Sequence, residues 1–253
     1  MAKFWSRLPY RIGGPVLLLL IWLVVAWPTA SGSYLLPSPQ DTFSRFGALL
    51  GTGDFYTDIL LTVRRWLVGY LFGVLAGVPV GLLMGSSSRI YLLLEFLIEF
   101  FRSLPVTALF PLFLLAFGIG DASKIAMVFT SVVFVVILNT AYGVFHSSKL
   151  RLKMAKTFGA SPMQIFVHIR FFDALPSILV GMRTSLSLSL IVVVVSEMFI
   201  GTEYGLGQRI FDAYTRNDVI ELYAVILFLG LTGYGSNRLF IAAERRLAFW
   251  AGK

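Results

Sequence analysis

The sequence predicts an all-α, polytopic membrane protein with about six transmembrane helices and both termini on the inner side. Three observations lead there. The 253 residues are 57% hydrophobic and 13% charged, with a mean hydropathy of +0.83. Soluble domains carry about 25% charged residues, so this chain lacks the charge to cover a water-facing surface. Six apolar runs are each long enough to cross a hydrocarbon core of about 30 Å at about 1.5 Å per residue. None alternates with period two, and lipid offers no partner to backbone N–H and C=O, so the runs are read as helices. Together these features exclude a cytosolic enzyme, a secreted domain and a disordered chain.

The first run is Gly13–Ala30. Lys3, Arg7 and Arg11 ahead of Val16–Val25 also fit a signal peptide, but no clean A-x-A site follows Trp27, so a retained anchor is expected. The second run is Ile59–Gly85 and the third is Phe100–Ile119. The third contains Pro105 and Pro111, and its start falls anywhere from Leu92 to Ser103. Lys124–Phe145, Pro176–Ile200 and Val219–Leu239 complete the set. Two parts follow: residues 1–58 hold the tail, the first span and an outer loop, and residues 59–253 hold a five-helix core. The other outer loops are Gly120–Ser123 and Gly201–Asp218; the inner ones are Ser86–Glu99 and a loop at 146–175.

Basic residues set the orientation. With the N-terminus inside, 15 of the 21 lysines and arginines fall on the inner side, and Arg45, Arg64, Arg65, Lys124, Arg209 and Arg216 on the outer. Arg64 and Arg65 break the trend, and are expected to snorkel or to line a wet cavity. The net charge of +8 therefore reflects the inner-leaflet bias rather than a nucleic-acid partner. There is no cysteine, which excludes disulfides, thiol nucleophiles and cysteine zinc sites. His146 and His168 are too few for a histidine metal site.

Gly69, Gly73, Gly77, Gly81 and Gly85 recur every four residues in the second span. Such spacing lets another backbone approach closely, either to pack within the chain or where parts slide. Pro79 in the same span predicts a kink.

The inner loop carries denser local signals. Lys149, Lys153 and Lys156 share one helical face, and Leu150, Met154 and Phe158 share another. Gly159 then suits a left-handed C-terminal position. Ser161 suits an N-cap, Pro162 the first helical position, and Gln164 completes a capping box. A second short helix is expected from Pro162 to about Arg170, presenting Ile165, Phe166 and Ile169. Pro176 then opens the next span. A helix, a glycine elbow and a capped helix describe a knob that docks in another protein; a basic loop lying on the membrane surface is the simpler reading.

The run Ala155-Lys156-Thr157-Phe158-Gly159-Ala160-Ser161-Pro162-Met163-Gln164-Ile165-Phe166, continuing to Ala174-Leu175-Pro176, resembles the "EAA" loop of ATP-binding-cassette (ABC) importer permeases. Arg102-Ser103-Leu104-Pro105, Phe117-Gly118-Ile119-Gly120, Val78–Gly85, Gly205-Leu206-Gly207 and Glu244-Arg245-Arg246 resemble the nitrate/sulfonate/taurine/bicarbonate branch. The family glutamate falls on Lys153, the first family alanine on Met154, and the first proline of the L-P-x-x-L-P pattern is replaced.

The resemblance implies a type I ABC importer-like fold in a bacterial inner membrane. Ala155, Gly159, Ala160, Ser161, Pro162, Gln164, Phe166 and Pro176 would form the coupling element gripped by an ATPase. The implied partners are two ATP-binding-cassette ATPase subunits, a second permease copy (a homodimer) and a periplasmic or lipid-anchored solute-binding protein. ATP and Mg would be bound by the ATPase partners. The solute would be a small anion moved by alternating access.

This chain itself lacks G-x-x-x-x-G-K-[ST], a carboxylate pair or a Ser/His/Asp set, so it is expected to be a non-catalytic subunit. A secondary transporter or channel remains an alternative, but would need intramembrane coupling residues or a filter motif. A membrane-embedded enzyme would need clustered catalytic residues at one leaflet. Asn139, Ser185, Ser189, Ser196 and Glu197 are candidates for a translocation path; for the serines and Asn139, helix packing is the competing reading, and for Glu197 it is snorkelling at a helix end.

Overall fold

A computed structural model describes residues 8–26 and 36–250. The basic residues Lys3, Arg7 and Lys253 and the stretch 27–30 of the first expected span lie outside the described residues. Every regular element among those described is helical. In chain order, α1 is Leu8–Ala26, α2 Pro39–Leu49, α3 Gly53–Ser86, α4 Ser88–Ser103, α5 Phe110–Phe117 and α6 Asp121–Phe145. The remaining helices are α7 Lys149–Thr157, α8 Pro162–Ile165, α9 Phe171–Ile200, α10 Leu206–Thr215 and α11 Val219–Leu247. A 3-10 turn, Val106–Leu109, precedes α5, and a π-helical turn, Phe166–Arg170, joins α8 to α9.

Four helices are long and apolar enough to span a bilayer: α3, α6, the continuous stretch Pro162–Ile200, and α11. A bent pair among the described residues is a broken fifth span or a re-entrant loop. The expected span Phe100–Ile119 is instead two helices, Ser88–Ser103 and Val106–Phe117, meeting at 83°. Pro105 explains the break: it lacks an N–H and pushes Leu104 into extended backbone (φ −75°, ψ 130°). The inner loop expected at Ser86–Glu99 is accordingly mostly α4. Of the first expected span, Gly13–Ala26 lies in α1, and the rest lies outside the described residues. Both long outer loops contain helices, α2 and α10. α3 runs through Pro79 as one helix.

The core is built around α6. On one side the glycine ladder of α3 meets a second four-residue row. A Cβ added at Gly69, Gly73, Gly77, Gly81 or Gly85 would lie 2.5–2.9 Å from the Cβ of Val128, Val132, Val136, Thr140 or Val144 respectively. An i±4 ridge thus fills an i±4 groove. The ladder serves packing inside one chain. On its other side α6 meets α9, where Gly143 faces Ala174 and Ser177, and Gly181 faces Asn139. Trp66, Tyr70, Met127, Val128, Val132, Leu186, Leu190 and Val193 close this three-helix core. Outward, Phe72, Leu75, Leu92, Leu93, Phe96 and Leu115 are exposed, as a lipid solvent or a second protein surface allows.

Candidate coupling elbow and a buried ionic clasp

Two sites occupy opposite ends of the bundle. The first is the elbow at the end shared by Ser86 and Phe145. Ser148 caps α7, its hydroxyl accepting from Arg151 N, and its own N–H donates to Asp173 at 3.0 Å. Asp173 also pairs with Arg151 at 2.6 Å, so one carboxylate ties the start of α7 to the start of α9. Gly159 adopts φ +73°. Its N–H bonds Lys156 O, and that of Ala160 bonds Ala155 O, both at 3.0 Å, the double closure of a Schellman turn.

Ser161 and Gln164 then form a reciprocal capping box: Ser161 N donates to Gln164 Oε1 at 2.8 Å and Gln164 N to Ser161 Oγ at 3.3 Å. Pro162 stands in the first turn. Beyond Ile165 the backbone widens into the π turn, whose Arg170 donates to Ser86 O at 3.2 Å and so anchors the elbow to the end of α3. The second helix is therefore one α-helical turn followed by π geometry, not a regular helix to Arg170.

The elbow displays a different apolar set from the one its sequence suggests. Ile165 is buried inward and Phe166 and Ile169 are half-buried. The outward residues are Phe158, 85% exposed, and Met163, 68% exposed, flanked by Leu150 and Met154. Ala155 and Ala160 are half-buried, and Pro176 lies inside α9.

The second site, at the other end, was not visible as a unit in the sequence. Glu197 has 0% exposure and Arg65 3%. Arg65 Nη1 donates to Glu197 at 2.6 Å and to Tyr204 O at 2.9 Å; its Nε donates to Asp121 at 2.6 Å and Nη2 to Thr202 at 3.0 Å. Arg64 also pairs with Asp121. Arg65 is locked into the protein, and Arg64 lies at the surface.

Three successive N–H groups at the start of α10 complete the arrangement. Gly205 donates to Asp58 at 2.8 Å, Leu206 to Thr62 at 2.9 Å and Gly207 to Glu197 at 2.9 Å. These are the orphan donors of a helix N-terminus, which favours anions. Glycine is required here for space. A Cβ at Gly205 would lie 2.7 Å from Glu197 Cδ, and one at Gly207 would collide with Val194 O. Asp58 continues to Arg209 at 2.6 Å, Arg209 to Glu221 at 2.7 Å, and Glu221 to Arg45 on α2. Burial by itself would lower the Arg209 pKa; its hydrogen bonds to Asp58 and Glu221 outweigh that and hold it above its ordinary value. One network thus binds α2, α3, α6, α9, α10 and α11.

The candidate path residues fall between these sites. Ser185, Ser189 and Ser196 are fully buried, with hydroxyls returned to Met182 O, Leu186 O and Val193 O of their own helix. Ser189 also accepts from Trp66 Nε1 at 2.8 Å. Glu197 is a clasp residue rather than a snorkelling one. Asn139 is half-buried and donates to Val135 O at 2.8 Å. In this conformation these side chains lie between packed helices.

Residues 69–248 match the family described as the binding-protein-dependent transport system inner membrane component. The chain belongs to that family. The permease is 33% identical over 222 residues to a Brucella melitensis protein described as a probable ABC transporter permease, covering 88% of this chain and 90% of that one. It is 30% identical over 253 residues to the taurine transport system permease protein TauC of Escherichia coli, covering 96% and 90%. Its fold matches a chain of the inward-facing MetNI methionine ABC transporter with a TM-score of 0.64 at 19% identity, covering 78% of this chain and 96% of that one. The protein is thus a permease subunit of an ABC importer. A secondary transporter or channel is not favoured by this membership.

Proposed function

We propose that two copies of this permease, in a bacterial inner membrane, form the path through which a small anionic solute enters. Two ATPase subunits bind ATP and Mg and grip the elbows from the cytoplasmic side. A separate solute-binding protein delivers the solute at the clasp end. The relatives named for taurine and aliphatic sulfonates support a solute of that class. The excess of basic residues on the elbow side supports placing that end in the cytoplasm.

The observation that carries the reading is the elbow. Its shape is fixed by a Schellman turn, a capping box and two cross-links, yet Phe158 and Met163 at its tip are left in solvent. A chain that specifies a shape so fully and then exposes its apolar tip has built a docking surface. ATP closure would move this tip, and the span continuous with it, between two states that ATP binds differently.

Gly159→Val tests the reading. Valine is a poor fit to φ +73°. In proteoliposomes containing the full transporter, ATP hydrolysis is expected to persist while solute uptake falls at least tenfold. Unchanged uptake would overturn the elbow's role.

A further inference from the structure

We propose that the lysine face of α7 docks against an acidic rim of the ATPase subunit, beside an apolar socket that receives Phe158 and Met163. The proposal rests on the coupling reading above and specifies the chemistry of its partner.

The charge pattern at the start of α7 is unfavourable within this chain, although Lys156 in its last turn suits the helix dipole. Lys149 and Arg151 stand at its first turn, which contains no acid. Cations there oppose the helix macrodipole. Lys149 and Lys153 are also an i,i+4 like-charge pair, which destabilises an isolated helix. From His146 to Phe172 the sequence holds five basic residues, Lys149, Arg151, Lys153, Lys156 and Arg170, and no acidic one. Relief from within the chain reaches Arg151 through Asp173. Among the described residues, no carboxylate pairs with the exposed Lys149, Lys153 or Lys156. A simple inner-side bias is met by basic residues anywhere on that side, and does not require them in the first turn of a capped helix.

The three lysines lie within about 60° of each other around the helix at about 100° per residue. The exposed Leu150, Met154 and Phe158 lie on the neighbouring face, with Met163 across the elbow. Basic and apolar surfaces are thus held side by side on a rigid, bent support. That matches a structured socket with negative charge along one edge, in which charge fixes orientation and the apolar tip supplies burial.

The test uses the intact complex of permease and ATPase in detergent. ATPase retained on the immobilised unmodified permease is expected to fall as salt rises from about 0.05 to about 0.5 M, since screening shortens the reach of exposed charges. The triple variant Lys149→Glu/Lys153→Glu/Lys156→Glu is expected to retain at least tenfold less ATPase at low salt, and the corresponding glutamine variant an intermediate amount. Thermal unfolding of each variant checks its fold; if the triple variant fails it, Lys153→Glu and the salt series on the unmodified complex decide. Salt-independent retention, or full retention by the glutamate variant, overturns the proposal. If Phe158→Asp releases the ATPase while the glutamate variant does not, the coupling reading stands and the acidic rim falls. If detergent retention is unchanged but uptake by the glutamate variant drops solely in vesicles of anionic lipid, lipid headgroups are the partner and the proposal is likewise overturned.

Discussion

At the end of the bundle that holds Glu197, a core of charges is buried and paired; at the end that holds Phe158, apolar side chains are exposed and, among the described residues, no carboxylate pairs with Lys149, Lys153 or Lys156. Glu197 takes hydrogen bonds from Arg65, Thr62 and Gly207. Phe158, by contrast, caps a helix and points away from the fold. The clasp is complete within one chain, so removing a member costs stability. The elbow is complete in backbone shape but exposes its apolar tip, so on the proposed reading removing the tip costs association rather than stability. On that reading the two ends separate what folds the permease from what it offers to a partner.

The largest test of this contrast is Glu197→Leu. It strands the Arg65 guanidinium in a buried site, and breaking a buried pair from one side costs about 3–5 kcal/mol. Thermal unfolding of the detergent-solubilised protein is expected to show that loss, and Arg65→Met added to Glu197→Leu to recover much of it. A single variant as stable as the parent would mean the clasp is ornamental. Glycine substitutions come next and compare the ends directly. Gly207→Ala forces a Cβ into Val194 O, an overpacking cost of about 1–3 kcal/mol. Gly159→Ala has open space around it but keeps φ +73°, a backbone cost of about 1–2 kcal/mol. The first is expected to lower the unfolding temperature more than the second. Phe158→Ala is expected to change stability least, within about 0.5 kcal/mol, while weakening ATPase retention. A large stability loss there would make the tip part of the fold.

Much of the fold was legible because its signals are local or periodic. Hydropathy marks the long spans, since a bilayer rewards continuous apolar helices. The elbow was legible to the residue, because the capping box needs Ser161 and Gln164 and the left-handed turn needs Gly159. Pro105 signalled trouble in the third span, but not a right-angled break, because proline fixes local backbone and not the direction in which the next helix packs. Which elbow residues face outward was misread at Ile165, because periodicity marks an apolar face but not whether that face turns toward the bundle or away from it. The clasp stayed hidden for a different reason. Arg65 and Glu197 are 132 residues apart, and Asp58 and Gly205 147. No periodicity links them. The available hint was ionisable residues at the ends of apolar runs, where charge is costly unless satisfied.

The π turn has one more consequence. It joins the capped knob to α9 without a gap, so that Pro162–Ile200 is a single rod of 39 residues, about 58 Å long. Met163 rides at one tip and Glu197 close to the other. One continuous backbone connects them, with the π turn and Pro176 as the points where it can flex. On the proposed reading, a push delivered at the knob would be passed, through one covalent strut, toward the carboxylate of the clasp.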